Sequence, residues 1–523
     1  MGFVKSYLFY GALKCLKLFK YGNDGWDKPL ETQEKFLQKL MKANASTDYG
    51  KKYDFFNIKT IDKFFKKVPL TTYEDYVPFF EEIEKRLNNS NWSEPPNVLS
   101  SQQPIGWVRT SGTTNVPKMF PINNWYLNNL TLATTQLQLS MKKPKLLSGK
   151  LLTVVTINET ELKGGLPIDY ISSIALSHTI KKPGIGSLLL PSESTLKIAN
   201  DEKRYTALLK DIEGKKITGL AGVPIFMADL LDFIQEKGKM NLITDNLEAV
   251  ISSGEDFGPL ASTIFEYLGG EYPVTNAYGS SELNGMPGCE QGEKKGHVGF
   301  LKNLIYGIID EDLLLKVHKE GSHVNVLQDN LKHITEAKIG DNYGLACTTV
   351  AGLYNYLNGD IIKIVGKDPI RFEIIGRWDG KIGNIDIERL YPAHVKIALE
   401  QLIESEKISN ISNFGYYPDE NNKKYFVIAE ASEIPGNLQE LSEKLDKNIC
   451  EGNELYKKSR GFRDNVRLEN LEINFVPENT FWNFQKEKKQ NTSGSLVGQP
   501  KMERLLTLED YTRLVEIGGR FFK

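Results

Sequence analysis

The sequence predicts a large, layered α/β body followed by a small α+β domain, and three observations carry that expectation. From about Leu151, apolar β-rich runs such as Leu151–Ile157 and Ala249–Ile251 alternate with helical stretches such as Tyr205–Ile212 and Phe226–Glu236. That alternation is the mark of buried parallel strands covered by helices. A strand-like run, Phe372–Ile375, then passes into Gly376-Arg377-Trp378-Asp379-Gly380, after which the pattern restarts as helix Val395–Ser405, strand Tyr425–Ala429, helix Leu438–Cys450 and strand Leu471–Val476. Finally, 523 residues with 40% apolar and 25% charged side chains hold enough material for more than one core. The restart sets the expected domains at 1–380 and 381–523.

Taken in order, the chain opens on Gly2–Lys20, where apolar residues mix with Lys5, Lys14, Lys17 and Lys20. This reads as an amphipathic helix and not as a signal peptide, because Lys14 interrupts the apolar stretch. Gly2 and Ser6 also match an N-acylation pattern. A second helical pattern runs from Thr32 to Ala45, with Phe36, Leu37, Leu40 and Met41 on one face. The formal net charge is −2, so no basic field for nucleic acid is expected. No apolar run approaches the ~18 residues that a membrane span needs. The four cysteines are far apart and the six histidines are scattered. Reduced thiols in a cytoplasmic protein are expected, with neither a disulfide framework nor a zinc centre.

Three segments carry chemistry. In Thr110-Ser111-Gly112-Thr113-Thr114-Asn115-Val116-Pro117-Lys118, small hydroxyl residues around a glycine let N–H and O–H groups close on phosphate oxygens, and the lysine adds a cation. The spacing is not that of a Walker A loop, and the plain alternative is a Ser/Thr-rich turn. In Tyr278-Gly279-Ser280-Ser281-Glu282 the glycine admits a flat ring against the backbone, and the carboxylate suits Mg²⁺; the alternative is a turn ending a strand. In Tyr356-Leu357-Asn358-Gly359-Asp360, a carboxylate at the edge of the strand-like Ile361–Val365 suits a ribose diol; the alternative is a tight Asn-Gly turn. Two further stretches support them. Gly219–Pro224 ends a strand and opens a helix, and Ser252-Ser253-Gly254-Glu255 follows the strand Ala249–Ile251, where α/β sheets place ligands. Gly498-Gln499-Pro500-Lys501 puts a lysine in a Gly-rich loop near the C-terminus.

In this order the segments resemble the adenylate-forming enzymes, whose phosphate loop reads TSGTTGxPK; here Asn115 stands for a glycine. The words Gln33, Thr47-Asp48-Tyr49-Gly50-Lys51, Val68–Asp75, Thr348-Thr349, Gly352–Tyr356 and Asn453-Glu454-Leu455-Tyr456…Arg460 narrow the resemblance. They are similar to the Gretchen Hagen family of acyl acid–amido synthetases, especially its non-plant members. Where that family usually reads GLYRYRxGD, this chain has Asn355 and Leu357, and Met502-Glu503-Arg504 follows Lys501 in place of a Pro-Arg. The resemblance implies the adenylate-forming fold, with β-barrel-like elements in the body and a mobile C-terminal lid. It implies a carboxylic acid adenylated by ATP with Mg²⁺, then transfer of the acyl group to an amino acid. Ser111, Gly112, Thr113, Thr114 and Lys118 would steady phosphates, while Ser253, Gly254, Glu255, Tyr278, Gly279, Ser280, Ser281 and Asp360 would hold the nucleotide. Glu282 would bind Mg²⁺, Arg377 at the hinge would also bind nucleotide, and Lys501 and Lys118 would be the catalytic lysines, Lys501 assisting adenylation. An acyl pocket is expected along Leu166–Ser173 and Leu220–Leu231. An acyl-CoA ligase, or a non-catalytic descendant that binds nucleotide or acyl ligand, are the competing readings.

Overall fold

Pro29 opens the helix Pro29–Asn44, three residues ahead of the predicted start, because its fixed φ suits a first turn. Phe36, Leu37, Leu40 and Met41 form its buried stripe. The computed structural model describes residues 25–519, except 91–93, 111–116, 156, 158–160, 182–185, 255–256, 292–293, 379–384, 386–387, 389, 409–410, 434–436, 461–467 and 492–502. The helix expected over Gly2–Lys20 therefore lies outside the described residues. The chain divides into two units: residues up to 256 with Tyr267–Ile374, and Phe257–Glu266 with Ile375–Lys523.

The first unit is built on a twelve-stranded sheet. Its order runs Lys332–His333, Ile305–Asp310, Asn342–Thr348, Tyr356–Gly366, Arg371–Arg377, His297–Gly299, Gly285–Glu290, Val274–Ser280, Ala249–Ser253, Ile217–Gly222, Lys150–Val154 and Leu189–Leu190. The last five are parallel, as the alternation predicted. Beyond Val274–Ser280 the sheet changes character: the pairings with Gly285–Glu290 and His297–Gly299 are antiparallel. The reason is connection length: residues 281–284 can return the chain only as a hairpin. Asn284 and Gly285 make that return with φ of 56° and 80°. A smaller four-stranded sheet joins Met119–Asn123, Pro104–Arg109, Leu166–Asp169 and Leu162–Lys163.

The large sheet is strongly curled. The hydroxyl of Tyr278 donates to Asp360, although three strands separate theirs in the sheet order. At ~4.8 Å per strand, a flat sheet would hold them about 20 Å apart. Both side chains therefore sit on a concave face.

In the second unit, strands Ile411–Asp419, Lys424–Ala431 and Glu472–Val476 form a sheet backed by helices Pro392–Glu406 and Leu438–Gly452. Leu399, Leu402, Val427, Leu445 and Ile473 are among its core residues. The strand Ile411–Asp419 escapes the sequence pattern, because Ser412, Asn413 and Gly415 interrupt its apolar alternation. Asp446 explains the Asn453–Arg460 word: its carboxylate accepts from the Tyr456 hydroxyl (2.7 Å) and from Arg460 Nε (2.8 Å).

Glu430 is a buried carboxyl here, accepting from the Asn479 and Phe481 amides at the start of helix Thr480–Asn491 and from the Ser412 hydroxyl. Burial holds its pKa up at about 7, against the pull of those donors. The native carboxyl binds its proton more tightly than the unfolded one, so stability falls as pH rises from about 4.5 to about 7 and is level above. Melts of wild type and Glu430→Gln at pH 5 and pH 8 are expected to differ in their pH dependence by about 2–3 kcal/mol, the variant lacking the loss. Parallel behaviour of the two proteins would contradict this.

Candidate active site

The Asp360 strand is fastened from below by the N-terminal third of the chain. Gln33 donates from Nε2 to the Leu304 carbonyl (2.6 Å) and accepts from the Tyr306 amide (3.0 Å). Tyr49 stacks on Tyr354 at 4.9 Å, and Gly50 is required there because a Cβ would lie 2.0 Å from the Asn44 carbonyl oxygen. The Tyr76 hydroxyl accepts from the Tyr354 amide (2.6 Å) and donates to its carbonyl (3.0 Å). Thr71 donates its amide to the Asn355 carbonyl (3.0 Å). The segment before Asp360 is thus set in a rigid aromatic bed.

Within that segment Asn355 adopts a left-handed φ of 46° and donates from Nδ2 to the Val68 carbonyl (2.8 Å). An asparagine tolerates this backbone better than an arginine. Asn355 and Leu357, the two departures from the family pattern, are both buried. The strand begins at Tyr356, earlier than expected, so Asn358-Gly359 is not a tight turn. It forms a bulge instead: Gly344 pairs with Ile361 and Ala346 with Leu357, so two residues on one strand span four on the other. Gly359, at φ 95°, makes this possible.

The Ser252–Gly254 and Tyr278–Glu282 segments lie at the carboxyl ends of parallel strands, while the 110–118 loop joins the antiparallel strands Pro104–Arg109 and Met119–Asn123. Tyr278 is buried, its ring edge-on to His297 and Phe372. Burial, then the Asp360 charge, raise the phenol well above its ordinary range, so it stays a donor. Gly279 faces Gly254: a Cβ built on Gly279 would lie 3.2 Å from the Gly254 amide nitrogen, so the two loops touch backbone to backbone. Ser281 donates to the Arg109 carbonyl (3.4 Å), at the end of the strand that enters the 110–118 loop, and its own carbonyl accepts from the Tyr126 hydroxyl (2.8 Å). Glu282 lies near enough to Tyr126, Tyr278 and Cys347 to raise all three, after burial itself. At the loop's base, Thr110 and Lys118 exchange backbone and hydroxyl hydrogen bonds, and Lys118 Nζ lies 5.3 Å over the Tyr73 ring.

The structure therefore joins Tyr278 with Asp360, Gly279 with Gly254 beside Ser253, and Ser281 with the strand leading into the loop. Ser111, Gly112, Thr113, Thr114, Glu255 and Lys501 lie outside the described residues. Arg377 is exposed at the end of Arg371–Arg377. Sequence reasoning missed Asn276, which shares a register position with Ser252 on the adjacent parallel strand. Ser252 Oγ, Asn276 Oδ1 and Ser280 Oγ are buried without hydrogen-bond partners. Buried polar atoms left this way mark a place for a polar ligand or water. Asn276 Nδ2 donates to Glu290 (3.2 Å), which leaves its buried carbonyl oxygen as an unused acceptor. The signal in the sequence was the alternation Asn276, Tyr278, Ser280 on one face of a strand.

This chain matches the N-terminal domain of the GH3 family over residues 24–245, its central domain over 315–377 and its C-terminal domain over 393–510. It belongs to the GH3 family. Among the relatives of this GH3 chain, the indole-3-acetic acid-amido synthetase GH3.4 of Arabidopsis thaliana is 23% identical, covering 96% of this chain and 93% of that one. The 4-substituted benzoates-glutamate ligase GH3.12 of Arabidopsis thaliana is 24% identical over 86% and 88%. The solved GH3.15 acyl acid amido synthetase superimposes with a TM-score of 0.70 at 18% identity, over 96% and 95%. The 2-hydroxyisobutyryl-CoA ligase, solved with 2-HIB-AMP, superimposes at 0.55 and 15% identity, over 92% and 90%. The fold of this GH3 chain is that of adenylate-forming ligases. No described helix is long and apolar enough to cross a membrane.

Proposed function

We propose that this GH3 chain is an ATP-dependent acyl acid–amido synthetase, which adenylates a small carboxylic acid and transfers the acyl group to an amino acid. The observation that carries the reading is the bond from Tyr278 to Asp360, which closes the second and third motifs into one site. The names of the relatives agree with it. An oxygen of the acid's carboxylate attacks the α-phosphorus of ATP; the bond to the bridging oxygen breaks and pyrophosphate leaves. The amine of the amino acid then adds to the acyl carbon, loses a proton to solvent and expels AMP.

The chain's part is mostly placement, which lowers barriers by fixing reactive groups in contact. Ser111, Gly112, Thr113, Thr114 and Lys118 cradle the phosphates in this proposal. Ser253, Gly254, Glu255, Gly279, Ser280 and Ser281 line the nucleotide, Asp360 accepts from its ribose, and the Asn276 acceptor suits the exocyclic amine of adenine. Lys501 serves adenylation, and Arg377 lies at a hinge. Among the described residues no group of three or more His, Cys, Asp or Glu could hold a metal alone. Glu282 offers one carboxylate, which fits Mg²⁺ arriving with phosphates and retaining waters. Held by Glu282, Mg²⁺ would supply positive charge against the departing pyrophosphate.

A matrix of carboxylic acids against amino acids, read by AMP release, tests the proposal. AMP is expected only where an acid and an amino acid are both present. Release that needs coenzyme A, and occurs with no amino acid, would instead make this chain an acyl-CoA ligase.

A further inference from the structure

Asn358 lies between the two residues that close the site and touches both. Its Nδ2 donates to the Tyr278 hydroxyl (2.7 Å) and to Asp360 Oδ2 (2.7 Å), and its Oδ1 accepts from the Asp360 amide (3.3 Å). Residues at i and i+2 of a strand share a face but stand roughly 6–7 Å apart. The bulge over Leu357–Ile361, turned by Gly359 at φ 95°, closes that gap. Asn358 is buried, at 3% exposure, and Tyr278 donates to the same Asp360 oxygen. One carboxylate oxygen thus receives two donors, which fixes the rotation of the carboxylate about its side-chain bonds.

We propose that Asn358 is the positioning residue that aims the Asp360 carboxylate at the 2′- and 3′-hydroxyls of the nucleotide, and so sets discrimination for a ribose over a deoxyribose. The inference rests on the reading of Asp360 as the ribose acceptor. A residue that only supported the fold would weaken every nucleotide alike. A residue that aims the carboxylate acts only where there is a hydroxyl to receive.

Calorimetric titration of the full chain with ATP and with 2′-deoxy-ATP separates these cases. Wild type is expected to prefer ATP by roughly 10- to 100-fold, the usual range for a hydrogen bond to a charged group. Asn358→Ala is expected to bring that preference within about threefold, by weakening ATP more than 2′-deoxy-ATP, which presents only the 3′-hydroxyl to the carboxylate. Asn358→Leu keeps a similar volume without the donors and should do the same, which covers the case where the alanine variant folds poorly. Asp360→Ala should also erase the preference, and the double variant should add nothing to it. Equal weakening of both nucleotides by the Asn358 variants would overturn the inference and leave the ribose site standing. Absence of any preference in wild type, or of nucleotide binding, would overturn the ribose reading itself and the inference with it.

Discussion

Replacement of Asp360 by alanine is expected to lower acid-dependent exchange of pyrophosphate into ATP by about 100- to 1,000-fold, through the nucleotide and not through the acid. Two losses combine. The ribose loses its charged acceptor, and the buried Tyr278 hydroxyl and Asn358 amide lose the oxygen they share. Buried donors stripped of their acceptor disturb their neighbours as well as the ligand. Asp360→Asn isolates the first loss, since it keeps the volume and removes the charge, and a smaller drop of about 10- to 100-fold is expected. Exchange assays at saturating acid and varied ATP measure both. Undiminished exchange in the alanine variant would remove Asp360 from the site.

The second large effect concerns a residue that need touch no substrate. Tyr354 is fully buried, stacks on Tyr49 and meets Phe55 edge-on at 4.9 Å. Its hydroxyl donates to the Leu99 carbonyl (2.7 Å) and accepts from Asn44 Nδ2 (3.0 Å). Tyr354→Ala opens a large cavity in this bed and is expected to destabilise the first unit by about 3–5 kcal/mol. Tyr354→Phe keeps the ring and strands two polar partners, for about 1–3 kcal/mol. Denaturant unfolding gives both values. An alanine variant as stable as wild type would show that the aromatic bed relaxes around the void.

How much of this could be read beforehand follows from the kind of interaction involved. Local patterns named Tyr278–Glu282 and Asp360, because small residues beside a carboxylate are visible in a short window. The parallel half of the sheet was legible for the same reason, since each strand alternates with its helix. The antiparallel half was hidden by short connections and by strands such as His297–Gly299, too brief to show a period. Asn358 was legible as a letter and illegible as a contact. Its value depends on a bulge whose register is set by the neighbouring strand, Asn342–Thr348. The words near Thr47, Val68 and Gly352 marked the family, but only the fold shows that they jointly support one strand.

The bond from Tyr278 to Asp360 joins residues 82 positions apart, on strands that are not neighbours. Contacts of that separation carry a loop-closure cost that slows their formation. In the proposed function, the nucleotide site therefore needs the curled sheet to have closed, and no fragment ending before that strand carries it. Nucleotide, once captured, favours the closed sheet over every unfinished form by mass action. A substrate of the finished enzyme then acts also as a selector of correctly folded chains.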